Sequence, residues 1–133
     1  MTVTMIERAA RQLSFVEPLP GFADEGFTLS PIDDQGVLYS LRSLDNPGLR
    51  FVLSPAAAFF PDYRPEIADA VGVLLGSDEV DVMLMLTVGS SLADATANLR
   101  APVVVAPSTG LAVQVVLDDD ALPMRAPLVA AAA

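Results

Sequence analysis

The sequence predicts an all-β fold, a small β-barrel-like single domain of short antiparallel strands with one or two short helices. Three observations carry that expectation. Apolar residues alternate with a period of two in most apolar runs, the pattern of half-buried strands. Turn-forming residues interrupt those runs about every eight to twelve positions, the spacing of small barrels and sandwiches. Only one segment offers a helical pattern. At 133 residues one domain is expected, with its core over about residues 11–128 and short flexible tails.

In chain order, "RQLSFVE" sets Leu13 and Phe15 against Gln12 and Ser14, a first strand. "IDDQG", residues 32–36, reads as a hairpin turn in which Gly36 tolerates positive φ. "VLYSLR" follows with Val37, Tyr39 and Leu41 on one face. Asn-Pro-Gly in "DNPG" is strong turn punctuation, and "RFVLS", residues 50–54, is the next strand. In "FFPDYRPEI", Pro61 and Pro65 push their predecessors out of the helical region. An edge strand is expected there, with its rings either filling the core or exposed for binding.

"PEIADAVGVLLGSDE" is the one helical segment. Pro65 and Glu66 suit its first turn, while Gly72 and the valines keep it short. "VDVMLMLTV", residues 80–88, alternates an aliphatic face, Val80 through Val88, with a mixed one carrying Asp81, Met83, Met85 and Thr87. One face should meet a core. "LAVQVVLD" alternates likewise, and "APSTG", residues 106–110, joins the last two runs into a hairpin from about Asn98 to Leu117. The terminal "LVAAAA" should be frayed.

Composition excludes more than it permits. The chain has no Cys, His or Trp, and all seven cations are Arg. Thiol nucleophiles, disulfides, the usual zinc and haem ligands, Schiff-base chemistry and the commonest general base are all absent. No enzyme, cofactor or metal is expected, and binding is the expected role. A formal charge of −10 and a pI near 4.1 disfavour nucleic acid. They suit a basic protein partner, because complementary fields raise encounter rates. Mean hydropathy is +0.51, yet charged, Gly or Pro residues interrupt every apolar run before membrane-spanning length. The N-terminus lacks a signal-peptide pattern, so a cytoplasmic protein is expected.

Candidate constellations are few. "LDDDAL" places Asp118, Asp119 and Asp120 together, but without the alternation, Gly and terminal Glu of a calcium loop. It reads as a solvated turn that discourages edge pairing. Ser90 and Ser91 have no His or Lys to activate them. Asp62, Glu66 and Asp69 carry carboxylates without the aromatic platforms of a glycosidase site. "TANLRAPVVV" is the odd phrase: a strand of branched residues entered through Asn98, Arg100 and Pro102. Pro102 cannot donate to a ladder, so a strand start, edge or bulge is expected there.

Six phrases taken together resemble a known family. "LPGF", "LRSLDNPGLRFVLSP", "FFPDY", "DATANLRAPVVVAP", "QVVL" and "LPMRAPL" follow the order and spacing of the flagellar assembly factor FliW family, from Arg11 to Leu128. The resemblance implies a small acidic β-barrel-like cytoplasmic protein without enzymatic activity. It implies binding to flagellin and to CsrA, the dimeric RNA-binding translational regulator that the family antagonises. A monomer is expected when free. The alternative is a β-barrel binding module for an unidentified ligand or protein. The protein-binding residues expected are Phe59, Phe60, Asp62 and Tyr63 from the first phrase, and Asn98, Leu99, Arg100 and Pro102 from the second.

Overall fold

The structure, a computed structural model, describes residues 10–128. Nine strands follow in the order β1 (Arg11–Phe15), β2 (Gly26–Pro31), β3 (Tyr39–Ser43), β4 (Arg50–Pro55), β5 (Asp81–Thr87), β6 (Thr96–Ala97), β7 (Val103–Ala106), β8 (Leu111–Gln114) and β9 (Ala126–Pro127). Two short helices, α1 (Ala56–Phe59) and α2 (Asp69–Leu75), lie between β4 and β5. Strands run β4-β3-β2-β1-β8-β7-β5, and β5 pairs back onto β4. That closes a seven-strand barrel, which leaves no edge along its wall. β6 and β9 continue from the far end of β5 as a two-strand flap.

Every pairing is antiparallel except β1 with β8. Arg11 ties that parallel seam, donating from Nη2 to the Pro107 carbonyl at 2.6 Å. The β2–β3 turn forms as its composition requires. Asp33 Oδ1 accepts from the amides of Val37 and Leu38, each at 3.2 Å. The β7–β8 hairpin closes through residues 107–110, with Gly110 at φ 74° and its amide on the Ala106 carbonyl at 2.9 Å. A residue with a Cβ would be strained there.

Three apolar clusters explain the burial. The barrel interior holds Leu13, Phe15, Phe27, Leu41, Leu53 and Met83 among others. A second cluster outside the wall includes Leu84, Leu86, Ala97, Leu99 and Leu128. A third packs Leu75 of α2 on Val104, Ala106 and Val113.

The second and third clusters correct the reading of β5 as a strand with one core face. Met83 points into the interior cluster, while Leu84 and Leu86 belong to the second. Both faces of β5 are apolar because both faces are covered. β7 is buried at all four positions for the same reason.

Three other expectations fail locally. Residues 59–63 form no strand: Phe59 ends α1, and Tyr63 follows a turn in which its amide donates to the Phe60 carbonyl at 3.0 Å. α2 starts at Asp69 rather than at Pro65, and ends at Gly76, whose φ of 74° suits a left-handed cap. Leu128 is buried, and its amide reaches the Ala95 carbonyl, so it is not part of a frayed tail. The rest of "LVAAAA" lies outside the described residues.

Candidate protein-binding surface

Two of the phrases that carried the resemblance, "FFPDY" and "NLRAP", meet in space. Pro55, at φ −55°, starts α1 without needing an amide donor, as proline does at helix N-termini. One turn later Pro61 and Pro65 prevent the helix from continuing. The chain therefore folds back over the second cluster, and Phe59, Phe60 and Tyr63 lie half-buried against it. Tyr63 supplies the joint: its hydroxyl donates to the Leu99 carbonyl at 2.6 Å. Burial pushes the Tyr63 phenol up from 10.0 to about 12, because the phenolate would lose its hydration.

On the other side of that joint, "NLRAP" is a knot of side-chain-to-backbone bonds. Asn98 Oδ1 accepts from the amides of Arg100 and Ala101 at 3.0 and 3.2 Å. This is the local Asx geometry that Asn favours. Arg100 donates from Nε to the Leu122 carbonyl and from Nη2 to the Asp120 carbonyl, both at 3.0 Å. The Leu99 amide donates to the Pro123 carbonyl at 3.0 Å. The segment after β8 is thereby fastened across the mouth of the hairpin.

Pro102 now has a physical account. Its carbonyl accepts from the Val115 amide at 2.9 Å, continuing the β7–β8 register, but it has no amide to return. One step earlier the Arg100 carbonyl accepts from Leu117 at 2.8 Å, while the Arg100 amide is turned to Asn98. Two successive pairs thus make one bond each, and the ladder fades at its mouth. Of the alternatives expected at Pro102, the strand start holds, since β7 begins at Val103. The proline ends a ladder whose carbonyl side is already occupied.

Of the eight expected contact residues, the structure leaves Asp62 exposed. Phe59, Phe60, Tyr63, Asn98 and Arg100 are half-buried. Leu99 is 9% exposed and Pro102 is fully buried. The side chains of Leu99 and Pro102 shape the surface from beneath.

Beside the joint runs an open groove of about 670 Å³ between residues 62–66 and 117–122. Asp118 and Asp119, read from sequence as a solvated turn, line it together with Asp62 and Glu66. No sequence signal linked the one pair of acids to the other, because Tyr63 reaching Leu99 and Arg100 holding the carbonyls of Asp120 and Leu122 bring the two walls together. Among the described residues no group of His, Cys, Asp or Glu is arranged to hold a metal ion. No helix there is long and apolar enough to cross a membrane.

Comparisons with known proteins agree on one family. A family model described as "FliW protein" matches residues 2–128. The chain is 35% identical over 115 residues to "Flagellar assembly factor FliW" of Bacillus pumilus, covering 84% of this chain and 80% of that protein. It is 37% identical over 119 residues to the protein of the same description from Symbiobacterium thermophilum, covering 86% of each. A solved structure, "Crystal structure of the flagellar assembly factor FliW", superposes with a TM-score of 0.79 at 29% identity. That match covers 88% of this chain and 84% of the other.

Proposed function

The chain belongs to the FliW family, and from that membership we propose that it is a non-enzymatic flagellar assembly factor acting in the cytoplasm. It binds flagellin, and it binds and antagonises CsrA, so that the flagellin level is coupled to flagellin translation. The observation that carries this reading is the junction of "FFPDY" and "NLRAP" through Tyr63 and Leu99. The two phrases are far apart in the chain and more specific than barrel packing requires, yet they build one surface.

The residue inventory supports a binding role. A chain without His, Cys or Lys has little means of activating a nucleophile at neutral pH. At a formal charge of −10, attraction to a basic partner speeds encounter and repels RNA phosphates. No cofactor is needed, and the free protein is proposed to be monomeric.

Binding of the purified chain to flagellin and to CsrA by titration calorimetry and stopped flow tests this. Both partners should be captured, and CsrA association should slow as the Debye length falls from ~10 Å at 0.1 M to ~3 Å at 1 M salt. Capture of neither partner sinks the proposal. A CsrA association rate indifferent to salt reduces the acidic surface to a solubility device.

A further inference from the structure

We infer that the groove between residues 62–66 and 117–122 seats an arginine- or lysine-bearing segment of the basic protein partner. The inference deepens the proposed function and rests on it only for the partner's identity. Its other premises are shape, lining and charge.

The volume of about 670 Å³ lies in the range of sites that enclose side chains or small ligands. The apolar part of the lining is Leu117 and Leu122, both half-buried, beside Tyr63 and Pro65. Such a floor fits the aliphatic stem of arginine or lysine while the charged head stays near water. The carboxylates of Asp62, Glu66, Asp118 and Asp119 are all exposed along the walls.

Arg64 is the one cation in the lining. Its Nη1 donates to the carbonyls of its own loop, Pro61 at 2.6 Å and Tyr63 at 3.2 Å. It therefore braces the first wall and leaves the four acids opposing any anion. Phosphate is repelled, and a guanidinium finds several acceptors.

Both walls are also held in place. Tyr63 anchors the first to Leu99. Arg100 anchors the second through the carbonyls of Asp120 and Leu122. Arg100 is thus a positioning residue for the groove. A preformed groove lowers the ordering cost that a partner segment must meet.

The test uses the full chain, labelled for NMR, and an arginine hexapeptide as probe. Amide shifts should move at residues 62–66 and 117–122. The groove variant is Asp62→Asn, Glu66→Gln, Asp118→Asn and Asp119→Asn; asparagine keeps the oxygen by which Asp119 accepts the Ala121 amide. Its charge-matched control is Glu17→Gln, Asp34→Asn, Asp45→Asn and Glu79→Gln, all exposed positions elsewhere.

The groove variant should bind the peptide about tenfold more weakly, and the control less than about twofold. Equal losses in both variants, or shifts spread over other acidic loops, overturn the inference in favour of a diffuse field. A parent that binds CsrA no better than its groove variant also overturns it, with the proposed function intact. A parent that captures neither flagellin nor CsrA while the peptide still maps to the groove removes the function and upholds the groove.

Discussion

Two outer faces of the barrel are sealed in contrasting ways. On one, α2 lies across β7 and β8 and lowers Leu75 onto Val104, Ala106 and Val113. One helix does most of the covering there, with Val16, Ile67 and Val80 at its margins and Thr109 Oγ1 donating to the Leu75 carbonyl at 2.8 Å. On the other, α1, residues 60–63, the 98–102 turn and the C-terminal segment converge on Leu84, Leu86 and Leu99. Three stretches distant in sequence, residues 56–63, 98–102 and 120–128, meet there, joined by bonds from the Tyr63 and Arg100 side chains to backbone carbonyls and by backbone bonds at Leu99 and Leu128.

The difference teaches where stability and surface come from. Apolar burial is non-directional and needs only a stripe of the right period. Joining several loops demands polar groups of fixed geometry, because each loop's backbone must find partners once it leaves water. The face closed by a helix can vary its outer residues freely. The face closed by loops concentrates specific side chains, and it carries the groove.

The largest expected effect lies on the helical face. Leu75→Ala empties a fully buried site and should cost about 2–5 kcal/mol, read from urea unfolding. A loss under about 1 kcal/mol would mean that α2 is a loose cover and that the barrel wall suffices. Partner binding should be unaffected in the fraction that remains folded.

On the loop face, Arg100→Met keeps the stem and removes the donors to Leu122 and Asp120. It should cost about 2 kcal/mol and broaden the NMR signals of residues 118–123, while those of α2 stay sharp. Uniform destabilisation without local broadening would break the contrast between the faces.

Tyr63→Phe is smaller, about 1 kcal/mol for one hydrogen bond, and has a pH signature. The folded phenol titrates near 12 and the unfolded one near 10, so the folded state holds the proton more tightly. This contribution is complete below pH 10 and is lost as pH rises through 12. The parent's melting temperature should fall across that window, and the Phe variant should lose this part of the decline. Identical profiles would show that Tyr63 is solvated.

Val73→Ser is the smallest. Val73 is 82% exposed on α2, and the change should stay within about 0.5 kcal/mol by thermal melt. A larger loss would mean that the outer face of the helix is covered.

The barrel was legible because strand alternation is local. Leu13 and Phe15, the turn at Gly36 and the hairpin through Gly110 all follow from period and turn chemistry over a few residues. The short helix before β5 was legible too, though its start was misplaced. Pro65 is compatible with a first turn, yet residues 63–68 carry no regular structure and Ala68 is still extended, with ψ 144°. Residues 59–63 are ambiguous in sequence because prolines that forbid helix suit an edge strand and a turn equally.

What the sequence alone determined is the all-β architecture, the acidity, the exclusion of thiol and imidazole chemistry, and the two phrases that meet at the candidate surface. These depend on residue identity and short-range pattern. Tertiary structure decided that β5 is covered on both faces, that Tyr63 reaches Leu99, and that Asp118 and Asp119 stand in one groove with Asp62 and Glu66. The first depends on barrel closure through β4 and β5, and the last on Arg100 gripping carbonyls beyond β8. A backbone carbonyl is an acceptor that every residue carries. The sequence therefore contains no mark of which carbonyl a given arginine or tyrosine will find until the fold brings them within hydrogen-bond reach.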